Sequence, residues 1–179
     1  MADLVLTLLG PDRPGLVEAL AEPIAAHGGS WLESRMAHLA GQFAGILRVE
    51  VPDEQAAALV EALRRLDDRG LRVTVEREAR PAAAPARRTL VVDLVGLDRP
   101  GIVREISRAL AERGVNIEEL VTDRTPAPMS AELLFRARAR VNVPAGLDAG
   151  ELRGRLERLA QDLMVQVTLE EQGENPHPS

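Results

Sequence analysis

Two stretches decide the fold: LVLTLLGPDRPGLV at Leu4–Val17 and LVVDLVGLDRPGIV at Leu90–Val103. They lie 86 positions apart, and 12 of the 30 positions between residues 4–33 and 90–119 are identical. The matched pairs include Gly10/Gly96, Asp12/Asp98, Arg13/Arg99, Pro14/Pro100, Gly15/Gly101 and Gly28/Gly114. Further on the offset becomes 92, at Pro52/Pro144, Leu71/Leu163, Val73/Val165 and Val75/Val167. The second copy therefore carries six extra residues, placed most simply around Pro126-Ala127-Pro128. Self-similarity of this kind means one folding unit used twice. The expected organisation is a first module over residues 1–79, a linker over 80–88 centred on Pro81-Ala82-Ala83-Ala84-Pro85, and a second module over 89–171. A polar, flexible tail is expected over 172–179.

Each copy repeats the same order of elements. Leu4–Leu9 and Leu90–Val95 are short apolar runs ending at a glycine, the pattern of a buried central strand. A turn follows, then a helix expected to begin near Pro14 and Pro100, where the fixed φ of proline suits a first turn. Its apolar stripe is Leu16, Leu20, Ile24 in one copy and Ile102, Ile106, Leu110 in the other. Gly28 and Gly114 stop these helices, and Pro23 should kink the first. Two strands come next, about Ser30–Leu39 and Phe43–Val51, then about Val115–Arg124 and Ala131–Val143. Phe135, Ala137, Ala139, Val141 and Val143 alternate with Arg136, Arg138, Arg140 and Asn142, so one face is buried and the other wet. A second helix follows Pro52-Asp53 and Asp148, with Asp148 and Glu151 spaced as a capping box. Last strands are expected at Leu71–Glu76 and Leu163–Leu169. The fold class is α+β: two ferredoxin-like βαββαβ modules, each an antiparallel sheet with both helices on one face. A unit this small with one bare sheet face buries little, so pairing of sheets into a homo-oligomer is expected.

Composition closes off several chemistries. In 179 residues there is no Cys, which removes disulfides, thiol nucleophiles and thiolate metal sites. All 22 basic residues are Arg, so a Schiff-base lysine is excluded. With 28 acidic residues the net charge is −6, and both modules are acidic. Direct nucleic-acid binding is disfavoured, since it needs several phosphate contacts, and Trp31, Phe43 and Phe135 are too few for base stacking. No apolar run can span a bilayer and no basic n-region opens the chain, so neither membrane nor secretion is expected, and the absence of Cys fits a reducing cytoplasm. Of the histidines, His27 reads as a helix-end cation, His177 lies in the tail, and His38 stands on a strand without metal-ligand spacing. Glu118-Glu119 are expected to point to opposite faces of their strand. No catalytic motif, metal site or cofactor site is read in the chain.

The loop GPDRPG/GLDRPG, between first strand and first helix of a duplicated βαββαβ unit, resembles that of tandem ACT-domain proteins. Among these the chain is most similar to the glycine cleavage system transcriptional repressor family. The resemblance covers roughly residues 3–78 and 89–171 and implies binding of a small amino acid or related metabolite at ACT–ACT interfaces. GVNIEEL after the second copy's helix is similar to the second-strand start of amino-acid-binding ACT domains, with Asn116 at the position that reaches a ligand held by a neighbouring module. The first copy departs from this, with Ser30-Trp31 in that place. The candidate ligand-binding residues are thus Asp12, Arg13, Pro14, Gly15, Ser30, Asp98, Arg99, Pro100, Gly101 and Asn116.

The residues themselves leave two readings open. A loop running into a helix N-terminus presents unpaired N–H groups suited to a carboxylate, and Gly15 and Gly101 remove the Cβ that would keep a ligand away. Asp12 and Asp98 can cap the helix or meet an ammonium group, and Arg13 and Arg99 can fork onto a carboxylate. Alternatively Asp-Arg-Pro-Gly only caps a helix tightly. The functional expectation is a non-enzymatic regulator acting on transcription through a protein partner. Its rivals are an ACT regulator of an amino-acid metabolic enzyme and a purely structural assembly module.

Overall fold

The computed structural model describes residues 1–77, 87–128 and 132–171. The chain divides into two units, Met1–Ala82 and Ala83–Ser179. The expected linker over 80–86, the tail from 172 and His177 lie outside the described residues. Arg87 and Arg88 already belong to a strand.

The first unit runs β1 (Ala2–Pro11), α1 (Leu16–Ala26), β2 (Ser30–Leu39), β3 (Gln42–Val51), α2 (Asp53–Arg64), a 3-10 turn (Arg65–Arg69) and β4 (Arg72–Arg77). The second runs β5 (Arg87–Leu97), α3 (Ile102–Ala111), β6 (Asn116–Pro126), β7 (Leu133–Pro144), α4 (Ala149–Leu163) and β8 (Val165–Glu171). Both sheets are antiparallel, ordered β2-β3-β1-β4 and β6-β7-β5-β8. Each is the expected βαββαβ unit. The register also fixes the insertion. Leu39 pairs with Gln42 across two residues, and the equivalent Thr125 pairs with Leu134 across eight. Six extra residues thus belong to the β6–β7 connection, and two more precede β8. Leu8 pairs with Val73 and the equivalent Leu94 with Val167, so the last strands correspond at an offset of 94 rather than the expected 92.

Alternation along the central strands builds the core. Leu4, Leu6 and Leu8 of β1 are buried against Leu16, Leu20 and Ile24 of α1 and Leu59 and Leu63 of α2. Fully burying a leucine side chain contributes about 1.5–3 kcal/mol, so this rung pattern sets which face the helices cover. On β7, Ala139, Val141 and Val143 are buried while Arg136 and Arg138 face water, as the alternation requires.

Three local expectations change. Pro14 and Pro100 lie in turns before their helices, which begin two residues later at Leu16 and Ile102. Asp148 does cap α4, its carboxylate accepting from the Gly150 N–H at 3.2 Å. Glu151, however, turns its carboxylate to Arg113 instead of closing a box. Leu163 ends α4, and β8 starts at Val165 after the left-handed Met164. Pro23 lies inside α1 as expected, and the helix is continuous from Leu16 to Ala26.

The first glycine of each loop motif has a packing reason. A Cβ on Gly10 would stand 2.5 Å from the Gly70 carbonyl oxygen. One on Gly96 would stand 2.3 Å from Val165 Cγ1 and 2.9 Å from Val165 Cα. The neighbouring strand, β4 or β8, begins where that methyl would be. Gly96→Ala is therefore expected to lower unfolding free energy by about 1–3 kcal/mol in urea titration, the range for overpacking. Gly146→Ala, with nothing within 4 Å, is the control and should stay near wild type.

Candidate ligand loops at the starts of α1 and α3

Each loop starts where β1 or β5 leaves its sheet and crosses the end of the neighbouring hairpin. The Asp12 N–H donates to the Gly41 carbonyl at 2.9 Å, and the Asp98 N–H to the Leu133 carbonyl at 2.8 Å. The two aspartates do not cap their helices; no side chain caps α1 or α3. Instead each carboxylate meets a nitrogen-bearing side chain of the edge strand. His38 Nδ1 donates to Asp12 Oδ2 at 2.5 Å, and Arg124 Nη1 donates to Asp98 Oδ2 at 3.0 Å. His38 and Arg124 sit on the same ladder rung as Gly10 and Gly96, across Phe43 and Phe135.

The loop then turns through the left-handed region at Gly15 (φ 88°) and Gly101 (φ 95°), each directly before its helix. A Cβ at Gly15 would meet nothing within 4 Å, and at Gly101 only Arg104 Nη2 at 4.0 Å. Glycine is thus required by conformation, and the space above it is open. With the aspartates engaged elsewhere, no side chain among the described residues accepts from the first-turn N–H groups, although each first turn also carries a carboxylate, Glu18 or Glu105.

The two arginines part company. Arg13 Nη2 donates to the Arg69 carbonyl at 2.5 Å, which ties the first loop to the 3-10 turn. Arg99 is half-buried.

Ser30 and Asn116 are not brought to these loops within their own modules. Ser30 shares a rung with Glu50 and Asp3, and Asn116 one with Asn142 and Thr89. From Asp3 to Gly10, or Thr89 to Gly96, is seven residues of strand, about 24 Å at ~3.4 Å per residue. Both side chains are exposed at the opposite end of the sheet.

Sequence reasoning passed over His38 and Arg124 as partners of the loop. Their signal was available: they stand at the same 86-residue offset as the loop residues, and each lies 26 positions after its aspartate. The opposite-face expectation for Glu118 and Glu119 fails. A register shift between Ile117 and Glu119 re-aims the strand, so both carboxylates reach Arg140, at 3.7 and 3.5 Å. His27 behaves as a helix-end residue, its Nδ1 donating to the Pro23 carbonyl at 2.7 Å. Among the described residues no helix is long and apolar enough to cross a membrane.

Two sheets of this order, each with a glycine-hinged loop before its first helix, define a tandem ACT architecture. ACT-domain family models match residues 2–76 and 89–161, and the chain belongs to the ACT-domain family. Over 168 residues it is 24% identical to the glycine cleavage system transcriptional repressor of Escherichia coli strain K12, covering 93% of this chain and 88% of that one. A crystal structure of an unknown protein from Galdieria sulphuraria superposes with a TM-score of 0.82 at 31% identity, covering 96% of this chain and 99% of that one. A putative glycine cleavage system transcriptional repressor superposes at 0.73 with 19% identity, covering 97% and 98%, and shares the fold.

The Arg124–Asp98 pair is a largely exposed contact that holds the loop rather than the fold. Arg124→Ala should cost at most about 1 kcal/mol of stability. The Asp98 and Gly101 amides should exchange with solvent faster in the variant, read by hydrogen exchange. Unchanged exchange would show that the backbone bond to Leu133 positions the loop alone.

Proposed function

We propose that the chain is a non-enzymatic regulator that binds a small amino acid or related carboxylate metabolite and modulates transcription through contacts with a protein partner. One observation carries this reading: both modules turn their loop aspartate onto a side chain of the edge strand, His38 or Arg124, and leave an uncapped helix N-terminus behind a left-handed glycine. A carboxylate is the natural acceptor for such N–H groups and for the dipole. The second loop is better provided, because Arg99 is not committed to a carbonyl as Arg13 is.

Asn116 would complete the site from another copy, since its own sheet holds it about 24 Å of strand away, as judged from ~3.4 Å per residue. That requirement makes a homo-oligomer part of the reading, and Ser30 in place of an asparagine makes the first site the weaker one. Ligand at such a contact favours one packing over another and so shifts affinity for the partner. The transcriptional role is supported by the similarity over nearly the whole chain to a protein named as a transcriptional repressor. An acidic chain of net charge −6 would act through a DNA-binding partner in the cytoplasm rather than on an operator.

A thermal-shift screen of the full chain against the twenty amino acids tests ligand binding. A ligand present at 100 times its Kd should stabilise by about 2.7 kcal/mol. Gly101→Val, strained at φ 95°, should lose that protection while remaining folded, and Gly15→Val should lose less. A folded Gly101→Val protein with wild-type affinity would reduce the loop to a helix turn. Purified protein should give no specific duplex-DNA shift at physiological salt; nanomolar binding without a partner would overturn the indirect mode of action.

A further inference from the structure

The second module is short of core volume at a place where the first is full. On one rung of the first sheet Leu6 pairs with Leu47, both buried to within 1%. The same rung of the second sheet is Val92 with Ala139. Two edge-strand neighbours shrink as well: Trp31 and Met36 of β2 are replaced by Ile117 and Thr122 of β6. Ser34, on the rung of Leu47, is replaced by the larger Leu120, which stays at the surface. The helix does not fill the difference, because fully buried Leu20 becomes half-buried Ile106. The first unit's buried residues form one cluster, whereas those of the second fall into two, with Ile106 and Val167 packed against both.

A cavity of about 30 Å³ opens there, walled by Val92, Leu94, Ile106, Ile117, Phe135 and Ala139. Val103 and Leu120 also line it and are 43% and 44% exposed, so they form its mouth. A water needs roughly 10–15 Å³, so size does not exclude one, but it also needs two to four polar partners. The walls offer none: the Ser107 hydroxyl is turned into its own helix, donating to the Arg104 carbonyl at 3.1 Å. Such a space suits apolar atoms. What distinguishes Leu47 from Ala139 is one isopropyl group, which gives the size and branching of the missing piece.

We infer that this cavity is a ligand subsite particular to the second module, taking a branched aliphatic group of isopropyl size where the first module supplies Leu47 from its own chain. Ile102 and Val103, which line it, directly follow Gly101. The ligand class is therefore a small carboxylate bearing a branched aliphatic group. For its carboxylate end the inference rests on the loop reading proposed above; the apolar end stands on the cavity.

The test uses the full chain, methyl NMR and three probes: isobutyrate, acetate and isobutanol, the last carrying the branched group without a carboxylate. Isobutyrate and isobutanol should saturably shift the methyls of Ile102, Ile106 and Ile117 and leave Leu6 and Leu20 unmoved. Isobutyrate should bind about tenfold or more tighter than acetate, the discrimination that a few added carbons give in an apolar pocket. Ala139→Leu, which restores the first module's residue, should abolish the isobutanol shifts and bring isobutyrate down to the affinity of acetate. Ile117→Trp makes the same change from the edge strand, should Ala139→Leu fail to fold. Methyl shifts with isobutanol but no gain from a carboxylate would uphold the subsite and sink the loop reading. Equal binding of isobutyrate and acetate without those shifts would sink the subsite and leave the loop. Folded filling variants that still bind isobutanol as wild type does would also overturn it.

Discussion

Each module depends on how closely a second strand can approach the end of its central strand. At Gly10 the carbonyl of Gly70 occupies the place of a Cβ, and at Gly96 the side chain and Cα of Val165 do so. Only because those methyls are missing can β4 and β8 lie against β1 and β5 along their length. That approach brings the sheet to four strands, and it brings the central strand to the loop with its direction already set. The Asp, Arg, Pro and second Gly of the motif are then delivered to the same spot over the hairpin end in both copies. A six-residue motif thus carries two unrelated demands. Its first glycine serves packing, and its second serves a left-handed turn at a helix start.

On this shared scaffold the modules have taken different chemistry. The first loop is closed inward: Asp12 is held by a histidine and Arg13 by a main-chain carbonyl. The second holds Asp98 with an arginine, which stays charged at any physiological pH, whereas a histidine is charged only when protonated. Packing diverges in the same sense. Trp31, Met36 and Leu47 fill the first core, and Ile117, Thr122 and Ala139 leave the second with a cavity. The two copies thus share the fold and leave unequal room under the first helix.

The edge strand contributes more than its exposure suggests. The register shift early in β2, and again early in β6, rotates the remainder of each strand relative to its first residues. One consequence is that Glu118 and Glu119, adjacent in sequence, converge on a single guanidinium. Another is that the aspartates' partners, His38 and Arg124, arrive on the rung of the motif glycine, within reach of the carboxylates. Strict alternation along a strand predicts neither outcome, because a bulge puts two residues opposite one.

The amino-acid sequence by itself determined the repeat, the order of elements, the buried faces and the place of the insertion. These arise from periodicity and from glycine and proline, whose effects are local to the chain. It also marked the loop residues, since both copies preserve them. Tertiary structure decided what those residues do. Two separated stretches must meet before Asp12 finds His38, Asp98 finds Arg124, or Arg13 finds the Arg69 carbonyl. Sheet register, not spacing, sends Ser30 and Asn116 to the far end from the loops. The cavity of the second module is likewise a property of four elements packed together. No single substitution reveals it, because the volume lost at Ala139 matters only if Ile106 and Ile117 fail to fill it.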